Sequence, residues 1–302
     1  MAPIKRLVNR QEEKAHGELK SVADDYGYVV YLKVRVADVL PIENSGITQE
    51  QYTYALKAHF DFVACDGDYN PVFVVEFDGP SHQADVQRSR DSMKDGLCKR
   101  FDMPILRINT NHLVQKYNKA SLLRWIVSAW ELQKSFDEAQ ERGQIPWDEG
   151  FDPVMLWHPG KTVEEIHPHW LSLKPRLIIE QLHKQGRLPT AYSCQFVFMD
   201  DADNYHGIEW MDVTDKTVLC VETAMRSQLF PIYLGDLFSE LLPVLLFEKL
   251  EQFLATGQGA VEPNAVEQRV ADWKKKYRFA SGHSSGGSLV KVSLSLVSGH
   301  FV

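Results

Sequence analysis

At 302 residues, 44% apolar and 25% charged, the chain has the composition of a folded globular protein with room for two domains. No apolar run approaches the roughly 20 residues of a membrane helix, and residues 1–6 lack the hydrophobic core of a secretory signal. Cys65, Cys98, Cys194 and Cys220 form no CxxC pair and no disulfide framework, so a reducing, cytoplasmic setting is expected. The net charge of −8 is uneven: residues 1–130 carry 17 Lys and Arg against 17 Asp and Glu, and residues 131–302 carry 16 against 24. That balance neither supports nor excludes a nucleic-acid partner.

In chain order, residues 10–24 read as a helix, with Asn9 as cap and Glu12 and Glu13 in the first turn. Alternating, β-branched residues 28–34 make a strand, and 35–51 read as loop. A strand over 59–65, a turn over 66–71 and a strand over 72–78 form a hairpin. A helix over 85–101, a strand over 104–109 and a long amphipathic helix over 111–134 complete the order αβββαβα. The polar stretch from Phe136 to Pro153 marks a domain boundary. Beyond it come a helix over 175–185 and strands over 194–199, 207–213 and 217–222. An apolar helix over 236–255, a basic helical piece over 271–278, a Ser/Gly-rich loop over 281–288 and a strand over 289–297 follow.

The chemistry concentrates at the end of the third strand. Glu76 and Asp78 are two apart and share a strand face. Carboxylates at the end of an apolar strand are costly to bury without a cation or a proton. If the hairpin turn is symmetric, strand partners have numbers summing to 137, which sets Asp61 directly opposite Glu76. Such neighbours have Cβ atoms roughly 4.5–5.5 Å apart, so the two acids repel unless a cation or a shared proton intervenes. Hard oxygen donors suit Mg²⁺ or Mn²⁺, with Asp78 as a third ligand or as the group orienting a bound water. On the following helix, Met93, Leu97, Cys98 and Phe101 define an apolar sector that also contains Arg90 and Lys94, with Asp91 at its edge. Lys94 either points at the Asp61/Glu76 pair or passes along the core to solvent.

These residues resemble a family. The element order, with Asp61 and Glu76 on adjacent strands, looks like the core of the PD-(D/E)XK nuclease superfamily. Glu76-x-Asp78-Gly79-x-x-His82, then Asp91-x-x-Lys94, then Leu106-Arg107-Ile108 resemble the branch related to very-short-patch repair endonucleases, and in particular the bacterial domain-of-unknown-function family 2726. Glu12 or Glu13 with Leu19, and the segment from Val34 to Leu40, resemble that family's opening helix and first strand. The resemblance covers residues 9–130 and departs at one point, because the superfamily's strand lysine is replaced by Asp78. In related branches the neighbouring helix supplies that lysine, which makes Lys94 the candidate.

The resemblance implies a restriction-endonuclease-like αβββαβ core, assigned to residues 1–135; the polar stretch and the element pattern beyond it give a linker over 136–156 and a second, α+β C-terminal domain over 157–302. It implies metal-dependent hydrolysis of phosphodiester bonds, with DNA favoured over RNA and a setting in defence or repair. Asp61 and Glu76 would hold the metal, Lys94 would stabilise developing charge, and Glu12 or Glu13 would support the outer coordination. His82 would protonate the leaving oxygen, contact a phosphate or fix Asp78; its plain alternative is a residue opening the helix. Arg90 and Asp91 are candidates to contact substrate, while Arg107 fits pairing with a core acid better. The rival is an inactive nuclease-fold protein that binds nucleic acid or acts as a scaffold. The C-terminal domain would recognise substrate, bind a protein partner or form a homodimer.

Other motifs carry less. His167 and His169 have no Cys or His at zinc spacing and suit a packed loop beside Trp170. The basic run Lys274–Arg278 reads as a solvated helix face, and Gly286-Gly287 as a turn. The stripe Leu237, Leu241, Leu242, Leu245, Leu246 and Leu250 is core, with a dimer seam as the lesser reading.

Overall fold

The computed structural model describes residues 6–78, 84–115 and 120–292, without the side chains of residues 84–88. Within these residues the protein is mixed α/β with two four-stranded sheets. None of their helices is long and apolar enough to cross a membrane. The chain separates into two compact units: the residues up to Pro153 together with Gln228–Ile232, and Val154–Ser227 together with the residues from Tyr233 onward.

In the first unit, α1 (Arg10–Asp25) starts where the sequence signals it. Asn9 accepts from the Gln11 and Glu12 amides while Glu12 Oε2 accepts from the Asn9 amide at 2.8 Å, a reciprocal capping box. Strand β1 (Val29–Arg35) leads into short helices α2 (Val36–Val39) and α3 (Gln49–Ala55) in place of much of the expected loop. Helix α3 has its own capping box from Thr48 and Gln51. Strands β2 (His59–Cys65) and β3 (Pro71–Phe77) pair as the hairpin, helix α4 (Ala84–Arg100) crosses over, and β4 (Ile105–Ile108) returns parallel to β3. The sheet order is β1-β2-β3-β4, with the first two pairings antiparallel.

The helix expected over 111–134 is two elements. A 3-10 turn (Thr110–Leu113) is nucleated by Asn109, and α5 (Leu122–Glu141) is capped by Ser121 and runs on into the stretch expected as linker. Apolar residues alternate across the sheet. Val63, Val74 and Ile105 pack with Leu97 and Cys98 of α4. On the other face Phe62 stacks with His16 of α1, and Phe73 meets Trp130 of α5 edge-on.

A five-residue segment from far along the chain completes this unit. Strand β4 would otherwise present an unpaired backbone edge. The Ile105 amide donates to the Leu229 carbonyl at 2.8 Å, and the Gln228 side chain brackets Arg107, accepting from its amide at 2.9 Å and donating to its carbonyl at 3.1 Å. Phe230 then packs against Phe73 and Trp130. The sequence division had placed Gln228–Ile232 wholly in the second domain, because nothing local to it signals an edge it must cover.

In the second unit, α6 (Val163–Ile166) and α7 (Leu173–Lys184) precede the meander β5 (Cys194–Met199), β6 (Tyr205–Asp212) and β7 (Val218–Met225). Helix α8 (Gly235–Thr256) packs on β6, where a Cβ at Gly207 would lie 2.6 Å from Leu242 Cδ1 and Phe238 Cε1. Helix α9 (Pro263–Lys276) starts earlier than expected, because Pro263 at its first turn is a start signal. Strand β8 (Arg278–His283) then takes the end of the basic run and the start of the expected Ser/Gly loop, and pairs with β5 to give the order β7-β6-β5-β8. Gly282 permits this, since a Cβ there would collide with the Gln195 carbonyl. Of the strand expected over 289–297, residues 289–292 are not extended and the rest lie outside the described residues.

Leu97 is fully buried between α4 and the sheet, one turn after Lys94. Leu97→Ala should lower unfolding free energy by about 2–5 kcal/mol, read from urea denaturation; a loss within error would contradict this packing.

Candidate active site

Four charged residues cross the first sheet in one row. The β1–β2 register brings Lys33 level with Asp61. The β2–β3 pairs Phe62↔Val75, Val63↔Val74 and Ala64↔Phe73 all sum to 137, so Asp61 falls opposite Glu76 as the symmetric hairpin predicts. The turn itself is not symmetric, since a bulge pairs Cys65 with Pro71 and the register recovers at Ala64. The parallel β3–β4 pairing then sets Glu76 beside Arg107. Across the sheet the charges run plus, minus, minus, plus.

The two acids replace the ladder at this end of the hairpin. Asp61 Oδ2 accepts the Phe77 amide at 2.9 Å, and Glu76 Oε1 lies 3.3 Å from the Asp61 amide. Each carboxylate therefore has one oxygen tied to backbone, and its second oxygen faces a lysine. Lys94 Nζ meets Glu76 Oε2 at 2.6 Å, donates to the His59 carbonyl at 2.9 Å and sits 5.5 Å from the centre of the Phe60 ring. Both partners are only 7% exposed, so Lys94 does not run out to solvent. Burial pushes the Glu76 carboxyl up to about 7, with the Lys94 ammonium pulling down, Asp61 pushing up and Arg107 pulling down.

Lys33 is the residue that the sequence did not single out. Its Nζ lies 2.5 Å from Asp61 Oδ1 and 2.9 Å from Glu12 Oε1. Its φ of +53° is left-handed, in the middle of a strand. For a residue with a Cβ that conformation costs on the order of 1–3 kcal/mol and persists only where the surroundings impose it. Here two ion pairs impose it. Partial burial pulls the ammonium down, but the hydrogen bonds to Asp61 and Glu12 outweigh this and leave Lys33 above the ordinary lysine value. Glu12 thus caps α1 with one oxygen and holds Lys33 with the other.

The other predicted site residues divide. Arg107, 4% exposed, donates to Asp95 Oδ1 at 2.7 Å, to Asp91 Oδ1 at 3.1 Å and to Asp78 Oδ1 at 3.5 Å. Burial would lower its guanidinium, and the Asp95, Asp91 and Asp78 charges more than reverse that. Asp78 thus leans toward Arg107 instead of joining the Asp61/Glu76 pair. Arg90, expected in the apolar sector, is exposed; the core beneath α4 begins one turn later, and at this level the Arg90 carbonyl accepts from the Tyr54 hydroxyl. Glu13 pairs with Arg6 at the surface, away from Lys33. Gly79 and His82 lie outside the described residues.

The donor set suits a hard divalent cation in part. Asp61 and Glu76 offer carboxylate oxygens from adjacent strands, as such an ion requires. Among the described residues no group of three or more His, Cys, Asp or Glu converges on one point. Two protein carboxylates with water completing the sphere is the coordination these residues fit.

The first unit is therefore a mixed α/β domain with a lysine-paired couple of acids, Glu76 buried and Asp61 half-buried, on the two strands of a hairpin. Residues 4–124 match the model of the DUF2726 family, described as a protein of unknown function, and the match spans every residue of the row. No curated protein and no solved structure matches the chain.

The Glu76 carboxyl, at 4.5 when unshifted, titrates near 7 in the fold. Between those values the native state holds more protons than the unfolded chain. Its contribution is therefore complete below about pH 4.5 and is lost as pH rises to about 7. Glu76→Gln should flatten the decline of urea-measured stability over that window; an unchanged slope would show that Glu76 is not the group titrating.

Proposed function

We propose that the first unit is a metal-dependent nuclease domain, hydrolysing phosphodiester bonds with DNA as the favoured substrate. One observation carries this reading: Asp61 and Glu76 emerge side by side from adjacent strands, each held by its own lysine. A purely structural cluster has little use for a buried acid beside a half-buried one, since apolar residues of similar volume are often as stable. The match to DUF2726 is silent on activity. The PD-(D/E)XK likeness of the motifs and the αβββαβ order support the reaction class.

Bound Mg²⁺ or Mn²⁺ would supply charge neutralisation at the scissile phosphate and an acidified water. Asp61 Oδ1 and Glu76 Oε2 are the oxygens that would hold it, and both are now engaged by lysines. Lys94 donates to the His59 carbonyl as well as to Glu76, an anchor that would keep its ammonium at the site for a phosphate oxygen. Lys33 occupies the sheet position level with Asp61 and supplies a second cation, offsetting the lysine that Asp78 replaces. Arg107 pairs with Asp78, Asp91 and Asp95 and offsets one of their three negative charges, which lessens their repulsion of a polyanion.

The internal neutralisation of both acids also suits a second reading, a non-catalytic nuclease-fold module that binds nucleic acid or scaffolds a partner. Cleavage separates the two. Incubated with Mg²⁺ or Mn²⁺ and a panel of single- and double-stranded DNA and RNA, the full chain should cut at least one substrate. Glu76→Ala should abolish cutting, and Lys94→Ala should slow it by about 10²–10³-fold. Binding without cleavage across the panel would favour the module, and equal cleavage by Glu76→Ala would remove the site from the mechanism.

A further inference from the structure

The second unit holds a separate built pocket. A cavity of about 300 Å³ opens between β6, α7, α8 and the segments 191–193 and 283–285, within the size range of small-molecule sites. Its walls are Ile179, Pro243 and Leu246, with Tyr192 at the rim, and its one acid is Glu209, a fully buried side chain on β6.

The chain has arranged the surroundings of Glu209 with some care. Pro243 lies inside α8 and has no amide to offer the carbonyl four residues earlier, which is that of Ser239. Gln195 fills the gap. It sits opposite Glu209 in the β5–β6 register, and its amide nitrogen donates to the Ser239 carbonyl at 2.9 Å and to Glu209 Oε2 at 3.2 Å. Both Gln195 donors are then spent. Glu209 Oε1 is left buried with no hydrogen-bond partner among the described residues. Such an oxygen has lost its hydration without gaining a donor, a penalty that is larger if it is charged. Burial pushes the carboxyl up to about 7, against the pull of the Ser193 and Gln195 side chains and Arg176.

Arg176 supplies the opposite charge. It is exposed on α7, lines the same cavity, and is fixed through Nε to Ser172 Oγ at 2.8 Å. Its two terminal nitrogens are unengaged among the described residues. One unsatisfied acceptor at depth, apolar walls and an unspent guanidinium define complementary chemistry.

We infer that this cavity binds a small molecule that carries an N–H donor, received by Glu209 Oε1, and an anionic group, received by Arg176, on an apolar or aromatic body. Two sources share that chemistry, a nucleotide with an amino-bearing base and a zwitterionic α-amino acid. The inference is independent of the nuclease reading, since it uses no residue of the first unit.

Calorimetric titration of the full chain with 5′-GMP and 5′-CMP in one arm, and L-leucine and L-phenylalanine in the other, tests it. One arm should bind and the other should not. Glu209→Gln, which presents an amide of the same shape, and the surface change Arg176→Ala should each weaken that binding at least about tenfold, the factor that 1.4 kcal/mol represents. Heat-unfolding curves of both variants check that the fold is kept. Absence of binding in both arms at millimolar ligand would overturn the inference, as would binding that neither variant weakens.

Discussion

The first unit depends on burying Glu76 beside Asp61. Two like charges about 4 Å apart at an effective dielectric near 20 repel by about 4 kcal/mol, a sizeable part of the 5–15 kcal/mol that holds a domain folded. The cations are therefore not optional. Lys94 ties α4 to β3, and Lys33 ties β1 and α1 to β2 through Asp61 and Glu12. Arg107 performs the same task on the other side, joining β4 to Asp91 and Asp95 of α4. One row of charge thus fixes how two helices sit against one sheet. The left-handed backbone of Lys33 is the strain that this arrangement carries.

The second unit solves a related problem with neutral groups. A proline within α8 releases a carbonyl, and a buried glutamine satisfies it while partly satisfying an acid on the neighbouring strand. In the first unit every oxygen of Asp61 and Glu76 is engaged. In the second, one oxygen of Glu209 is left over. Buried polar groups in both units are thus arranged so that, among the described residues, few are orphaned.

How much of this the sequence disclosed follows from the distance over which each signal acts. The hairpin register is legible because only five residues, 66–70, separate its strands, and counting through the turn reaches the right pairs in spite of the bulge at Cys65. Lys94 was legible from helical periodicity against Leu97 and Cys98. Lys33 was not, because β1 and β2 are separated by α2 and α3 and no short turn sets their register. Asp95 escaped for another reason: its role exists only once Arg107 is known to lie beneath α4. The edge-covering Gln228–Ile232 is a wholly tertiary fact. Helix bounds slipped where caps were overlooked, at Ser121 and at Pro263.

In the proposed reading, Asp61 and Glu76 would form one divalent-cation site whose occupancy displaces lysine and proton alike. Calorimetric titration of the full chain with Mn²⁺ near pH 6.5, in two buffers of different ionisation enthalpy, tests it most directly. The account requires binding with proton release, from a Glu76 carboxyl that titrates near 7, and requires Asp61→Asn to weaken it sharply. Mn²⁺ that does not bind, or that binds Asp61→Asn as tightly as the wild type with no proton released, would contradict it.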